Sequence, residues 1–333
     1  MQFALRHLVR CTEFCLVCHN KVSTDFEALK PYVCSSPLCL YQYMSLGFGP
    51  SIEYEIISQP TVVDLLVSFC YASANAGKLV HFPDGMDLKT YTSDSKEYSG
   101  DFHRVKNEFR FLDDGPEDLR PLLKDGDWIV MTVAGVGEEW HARVIETCCW
   151  PIVKVAQPVN VKPFAAHPGV AQPTETNSSL PPSSIPGSTD VRDVQFRIYD
   201  NAFDTAQEQE KRKAITNLLN TLPSVVDMKA WLQKSSNSGG EVTLRKFKNR
   251  LSPSALGLLR WIIASNRSCI VPLYDHDESA SSGFMPVQGM GPEWRQFRFA
   301  MGAPDKEQRF VNSVREAQKR IKSRCEPFHP ARL

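Results

Sequence analysis

The 333-residue sequence contains no apolar run of eighteen residues, so no membrane-crossing helix is expected. Its first ten residues, MQFALRHLVR, are too short and too interrupted by Arg6, His7 and Arg10 for a secretory h-region. No GxSxG, P-loop, HExxH or dinucleotide fingerprint occurs, and no internal repeat is visible. These gaps leave no catalytic set that local spacing alone would reveal. Net charge is also missing, since 38 Lys and Arg balance 38 Asp and Glu. The balance hides an asymmetry. Residues 1–240 carry 22 basic against 29 acidic side chains, and residues 241–333 carry 16 against 9. A basic C-terminal third suits an anionic partner, but a solvated basic helix explains it as well.

What the chain does have is cysteine, ten in all. With no secretory signal they place it in a reducing compartment, cytosol or nucleus, where disulfides are rare. Four form two close pairs, Cys15-x2-Cys18 and Cys34-x4-Cys39, separated by fifteen residues. Zinc takes four thiolates tetrahedrally, and a CxxC turn fixes two sulfurs at the required separation. Structural zinc on Cys15, Cys18, Cys34 and Cys39 is the first reading. A core of unmetallated thiols and a redox role are the others. Cys11 or His19 could replace one ligand. Four protein ligands would leave no open coordination position, so such a site would be architectural.

The chain divides by composition into five stretches. Residues 1–45 form a cysteine-rich module and 46–156 a small mixed α/β unit. Residues 157–190 are a Pro/Ser-rich linker, which cannot offset its ordering entropy. Residues 191–293 read as helical, and 294–333 as the start of a further domain. Overall this predicts an α+β chain.

Within these stretches, TVVDLLVSFCYASANAG after Pro60 reads as a buried helix with Cys70 in its core. PEDLRPLLKDGD reads as a short helix and turn. WIVMTVA and EWHARVIE read as a hairpin, with TCCWPIVKVA as a third strand. Vicinal Cys148 and Cys149 would point to opposite faces. Thr205 with Glu208, Ser224, and Ser252 with Pro253 mark three helix starts. Residues 304–323 form a final helix, with Phe310, Val314, Ala317 and Ile321 on one face. DHDE (275–278) reads as a solvated loop. RKFKNR (245–250) reads as solvated charge around an inward Phe247. His81, His103 and His141 have no local partners.

Three stretches, FEALKPYVCSSPLCLYQYMSLGFGPSIEYEI (26–56), LSPSALGLLRWIIASNRSCI (251–270) and WRQFRFAMGAPDKEQRFVNSV (294–314), carry a resemblance. They resemble one branch of the poly(ADP-ribose) polymerase-like proteins. There a cysteine-rich segment precedes an ADP-ribosyltransferase domain, sometimes with a ubiquitin-conjugating-type domain further on. The resemblance implies NAD as cosubstrate and transfer of ADP-ribose, one unit at a time, to protein targets. It also implies that Cys15, Cys18, Cys34 and Cys39 are zinc ligands.

The family's NAD site begins with His-Gly after the helix that matches 304–323, and a Tyr further on stacks on the nicotinamide. Here that helix runs into SRCEPFHPARL, where His329 is followed by Pro330. No catalytic or NAD-binding residue can therefore be assigned, and NAD is not expected to bind this chain. The resemblance predicts a non-catalytic N-terminal part of such an enzyme, running into a truncated transferase domain. The alternative is a zinc-stabilised protein-binding module in ubiquitin or ADP-ribose signalling, with a ubiquitin-system partner. Nucleic acid and membrane are not expected as partners.

Overall fold

In the computed structural model, the described residues are 2, 5, 12–21, 32–92, 95–111, 123–133, 139–160, 191–237, 242–273, 287–291 and 294–324. Helices are α1 Pro37–Ser45, α2 Ile52–Ser58, α3 Pro60–Asn75, α4 Glu208–Asn220, α5 Val225–Asn237, α6 Pro253–Ser265 and α7 Pro304–Arg324. Strands are β1 Lys89–Thr90, β2 Tyr98–His103, β3 Glu108–Phe111, β4 Trp128–Val133, β5 Glu139–Glu146 and β6 Ile152–Val155. They continue with β7 Val159–Asn160, β8 Val191–Ile198, β9 Asn201–Ala202, β10 Cys269–Leu273 and β11 Gln296–Met301. The chain is thus α+β, in two compact units, 49–264 and 1–48 with 265–333.

The 49–264 unit is built on a closed six-stranded antiparallel barrel. Strand order runs β4-β8-β2-β3-β6-β5, and β5 pairs back to β4, with β7 added alongside β5. Closure leaves no unpaired edge among the six strands. Alternation along each strand fills the inside. Phe102, Phe109, Phe111, Ile129, Met131, Trp140, Val153, Val194 and Phe196 are buried there. Phe196 meets Phe109 edge-on at 4.6 Å and Phe111 at 5.1 Å between ring centroids. Gly100 permits this packing, because a Cβ there would overlap the Phe109 ring.

The hairpin expected at 128–146 is β4–β5, and the third strand is β6. The reading of 191–293 as helical is corrected at its start. VRDVQFRI is strand β8, lying between β4 and β2 with Val194, Phe196 and Ile198 buried at period two. The sequence on the far side of the linker therefore completes the barrel begun before it, and 46–156 is not a separate unit. Of the short helix and turn read at 116–127, residues 116–122 lie outside the described residues and 125–126 form a turn. Of the linker read at 157–190, residues 161–190 lie outside them, and Val159–Asn160 form β7.

The helices of this unit start where their caps dictate. Pro60 and Pro253 occupy first helical positions. The Ala255 N–H donates to Ser252 Oγ at 3.1 Å and the Asp227 N–H to Ser224 Oγ at 3.0 Å. The cap expected at Thr205 lies two residues later. Thr205 instead bonds the Ala202 carbonyl in a 3₁₀ turn, and the Gln207 N–H donates to the Glu210 carboxylate. Helix α3 packs on α4 and α5, with Cys70 buried in its core. Burial pushes that thiol up to about 12.

In the other unit β10 and β11 pair antiparallel with a bulge at Cys269/Ile270. Helix α7 follows β11, and Asp305 and Glu307 in its first turn suit the helix dipole. Its expected apolar face is present but open: Phe310 is 70% exposed and Val314 is also exposed. The side chain of Ile321 lies outside the described residues. Among the described residues no single helix is long and apolar enough to cross a membrane.

Candidate metal centre

Two local devices present the four thiols. The first is a tight turn closed by an antiparallel bridge between Phe14 and Lys21. Within it the Cys15 N–H donates to the Asn20 carbonyl and the His19 N–H to the Cys15 carbonyl, each at 3.0 Å. His19 closes the turn at φ +58°, a conformation that His tolerates better than bulkier residues. The second device is the start of α1. Ser36 precedes the helix, Pro37 sits at its first position, and Cys39 falls in the first turn. Cys34 lies on the extended approach to that helix.

A short backbone splice aligns the two. The Leu16 N–H donates to the Tyr32 carbonyl at 2.9 Å, and the Cys34 N–H to Cys15 Sγ at 3.3 Å. As a result the Sγ atoms of Cys15, Cys18, Cys34 and Cys39 all lie within 4.8 Å of one another. Cys18 and Cys34 sulfurs are 3.9 Å apart. A tetrahedron of thiolates about 2.3 Å from zinc has edges of about 3.8 Å, so the set needs only a small contraction to close. Cys15 and Cys39 are buried, Cys34 is half-buried and Cys18 is exposed.

The electrostatics favour a cation. Burial opposes ionisation of Cys15, but amide N–H groups of Cys18, Cys34 and Val17 point at its sulfur and lower it to about 7. Burial pushes Cys34 up to about 12 and also raises Cys39, and a negative Cys15 adds to both. One thiolate therefore opposes the next, and a dication would remove that opposition. The donor set fits zinc: four soft sulfurs that lie within 4.8 Å of one another.

All four residues expected from the sequence are brought together. His19 is exposed beside Cys18 and outside the group of four. Cys11 lies outside the described residues, as do DHDE (275–278), His329 and Pro330. Phe247 stacks on Trp231 at 5.0 Å, while Arg245, Lys246 and Lys248 are exposed. His141 is buried on β5, with Nδ1 2.6 Å from the Tyr199 hydroxyl.

Sequence reasoning missed the supports. Tyr32 is buried with Met301, with Cys34 and Cys269 packed alongside. Arg267 Nη1 reaches the Tyr32 hydroxyl at 3.4 Å and the Asp305 carboxylate at 2.6 Å. These contacts tie the cysteine segment to β10, β11 and α7 across more than 230 residues of sequence, which no local pattern announces.

No protein-family model matches the chain, and no solved structure matches it. Among the curated proteins similar over part of it are the protein mono-ADP-ribosyltransferases PARP8 of Mus musculus and of Homo sapiens, each 32% identical over 81 residues. The match covers 24% of this chain and 10% of either relative.

Proposed function

We propose that this chain is a zinc-stabilised accessory region of a protein mono-ADP-ribosyltransferase, and that by itself it transfers no ADP-ribose. The observation that carries this reading is the convergence of Cys15, Cys18, Cys34 and Cys39 within one compact unit that also contains α7. The partial similarity to mono-ADP-ribosyltransferases supports the enzyme class.

The four thiolates would hold the ion, and zinc would supply a covalent-strength crosslink between the Cys15–Cys18 turn and α1. The remaining work falls to the chain's own residues. Tyr32, Arg267 and Asp305 would carry that rigidity to the first turn of α7, the helix that resembles the family's approach to its NAD site. A reducing compartment, cytosol or nucleus, would keep the thiols available. In a longer enzyme the acceptors would be proteins.

The test is incubation of the zinc-loaded chain with labelled NAD and candidate acceptor proteins. No label should transfer. Label that is lost in a His329→Ala variant would overturn the reading by placing a working site at the C-terminal tail. Label that survives in that variant would overturn it by revealing a different site.

A second reading, a protein-binding module, draws on a different observation. Leu38, Tyr41, Leu46 and Phe48, on and just after α1, are exposed large hydrophobics beside the cysteine cluster. Shifts in the Tyr41 and Phe48 signals on titration with ubiquitin would favour it, and unchanged signals would count against it.

A further inference from the structure

Cys148 and Cys149 take no part in the cysteine cluster and belong to the other compact unit. They lie in the turn joining β5 to β6, and both are exposed. Alternation along an extended strand would send adjacent side chains to opposite faces. The turn does otherwise, and holds the two sulfurs 3.4 Å apart.

The turn is well anchored. The Ile152 N–H donates to the Cys149 carbonyl at 2.8 Å, and the Phe111 N–H to the Pro151 carbonyl at 3.2 Å. Thr147 Oγ1 donates to the Asp125 carboxylate at 3.0 Å. The Trp150 ring stacks on Phe111 at 4.5 Å, which plants the turn on the barrel core. The sulfurs are therefore presented as a pair, with little conformational entropy left to lose on binding.

A carboxylate completes the arrangement. Cys148 Sγ donates to Glu146 Oε1 at 2.9 Å, and Glu146 Oε2 lies 3.6 Å from Lys154 Nζ. A proton acceptor thus stands against one thiol, and an ammonium group balances it.

We infer that Cys148 and Cys149 form a surface dithiol site that chelates a soft, thiophilic centre, with trivalent arsenic as the representative chemistry. Two sulfurs 3.4 Å apart subtend an angle of about 95° at a centre about 2.3 Å from each, which suits a pyramidal three-coordinate ion. Disulfide formation is the poorer fit, because the sulfurs would have to close to about 2.05 Å within adjacent residues.

With a monosubstituted arsenical the step balances without oxidation. Two As–S bonds form, the arsenic–oxygen bonds break, and the two thiol protons leave with that oxygen as one water. Glu146 is placed to take the Cys148 proton as the second As–S bond forms and to hand it on to the departing oxygen. Chelation makes the second bond intramolecular, so the pair should bind far more tightly than either thiol alone.

The test uses the full chain loaded with zinc, so that the other cysteine cluster is occupied, titrated with phenylarsine oxide and followed by intact mass and zinc content. One phenylarsine unit per chain should bind with zinc retained, resist a monothiol and be removed by a dithiol. Cys148→Ser and Cys149→Ser should each weaken binding at least 100-fold while circular dichroism stays unchanged. Equal binding to the double variant Cys148→Ser/Cys149→Ser would overturn the inference. So would binding that releases zinc from the wild-type chain, or no binding to it.

Discussion

The Cys34 amide N–H points at Cys15 Sγ across 3.3 Å, joining the two halves of the cysteine cluster through a backbone bond. That bond stabilises negative charge on one sulfur and places the next thiol beside it. This relationship makes the cluster a preorganised thiolate site as well as a group of neighbours.

Replacing a buried ligand should abolish tight metal binding. Cys15→Ser or Cys39→Ser is expected to lower zinc affinity by more than the roughly 10- to 100-fold that loss of an outer partner typically causes. Melting monitored separately for the two units should show the 1–48/265–333 unit destabilised and the barrel unchanged. Competition with a coloured zinc chelator measures the affinity.

Metal loading should release protons. At pH 7 the free cluster has Cys15 part-ionised near its value of about 7, while Cys34, raised to about 12, is protonated. Zinc needs both as thiolates, so affinity should rise with pH and fall as pH is lowered through neutrality. Calorimetry in two buffers of different ionisation enthalpy gives the proton count. A heat independent of buffer would contradict the assignment.

His141 makes the barrel unit acid-sensitive. Burial lowers it to about 3 from an ordinary value near 6.5, so the folded chain keeps it neutral while the unfolded chain takes up a proton. No stability is lost above pH 6.5. Between about 6.5 and 3 the native state should weaken by up to about 1.4 kcal/mol per pH unit from this group. His141→Gln keeps a polar partner for the Tyr199 hydroxyl and removes the titration. Denaturant melts across that pH window should show a shallower slope in the variant.

Asp101 on β2 stands directly opposite Asp193 on β8. Burial, and then the neighbouring Asp193 carboxyl, raise the Asp101 carboxyl above its usual range. The folded state therefore favours protonated Asp101, and the stability this gives is lost as pH rises through the raised value. Asp193→Asn should stabilise the barrel at pH 7 by a few tenths of a kcal/mol, up to about 1. The gain should vanish in acid, as read from urea midpoints at pH 7 and below pH 4.

The parts of this fold legible in the sequence are those set by short-range chemistry. Pro60, Ser252 and Pro253 mark helix starts whatever surrounds them, and the 128–146 hairpin announces itself by two apolar runs around a short Gly-containing loop. The cysteine pairs are legible for the same reason, since spacing along the chain fixes each pair. Barrel closure was not legible. Strand β2 contains Gly100 and Asp101, residue types depleted in strands, yet the glycine admits the Phe109 ring. Strand β8 interleaves its apolar residues with Arg192, Asp193, Gln195 and Arg197, and it follows a Pro/Ser-rich stretch that looks like a boundary. The Thr205 cap was misplaced because a 3₁₀ turn takes that hydroxyl first. The Tyr32–Arg267–Asp305 support depends on residues far apart in the chain, and only the folded structure pairs them.

The central claim is a zinc ion held by Cys15, Cys18, Cys34 and Cys39, and X-ray absorption at the zinc edge tests it most directly. Protein purified without added metal should contain about one zinc per chain, with a shell of four sulfurs at about 2.3 Å. That shell should be lost in Cys15→Ser. A zinc shell containing nitrogen or oxygen donors, or protein that purifies without zinc and does not take it up, would contradict the account.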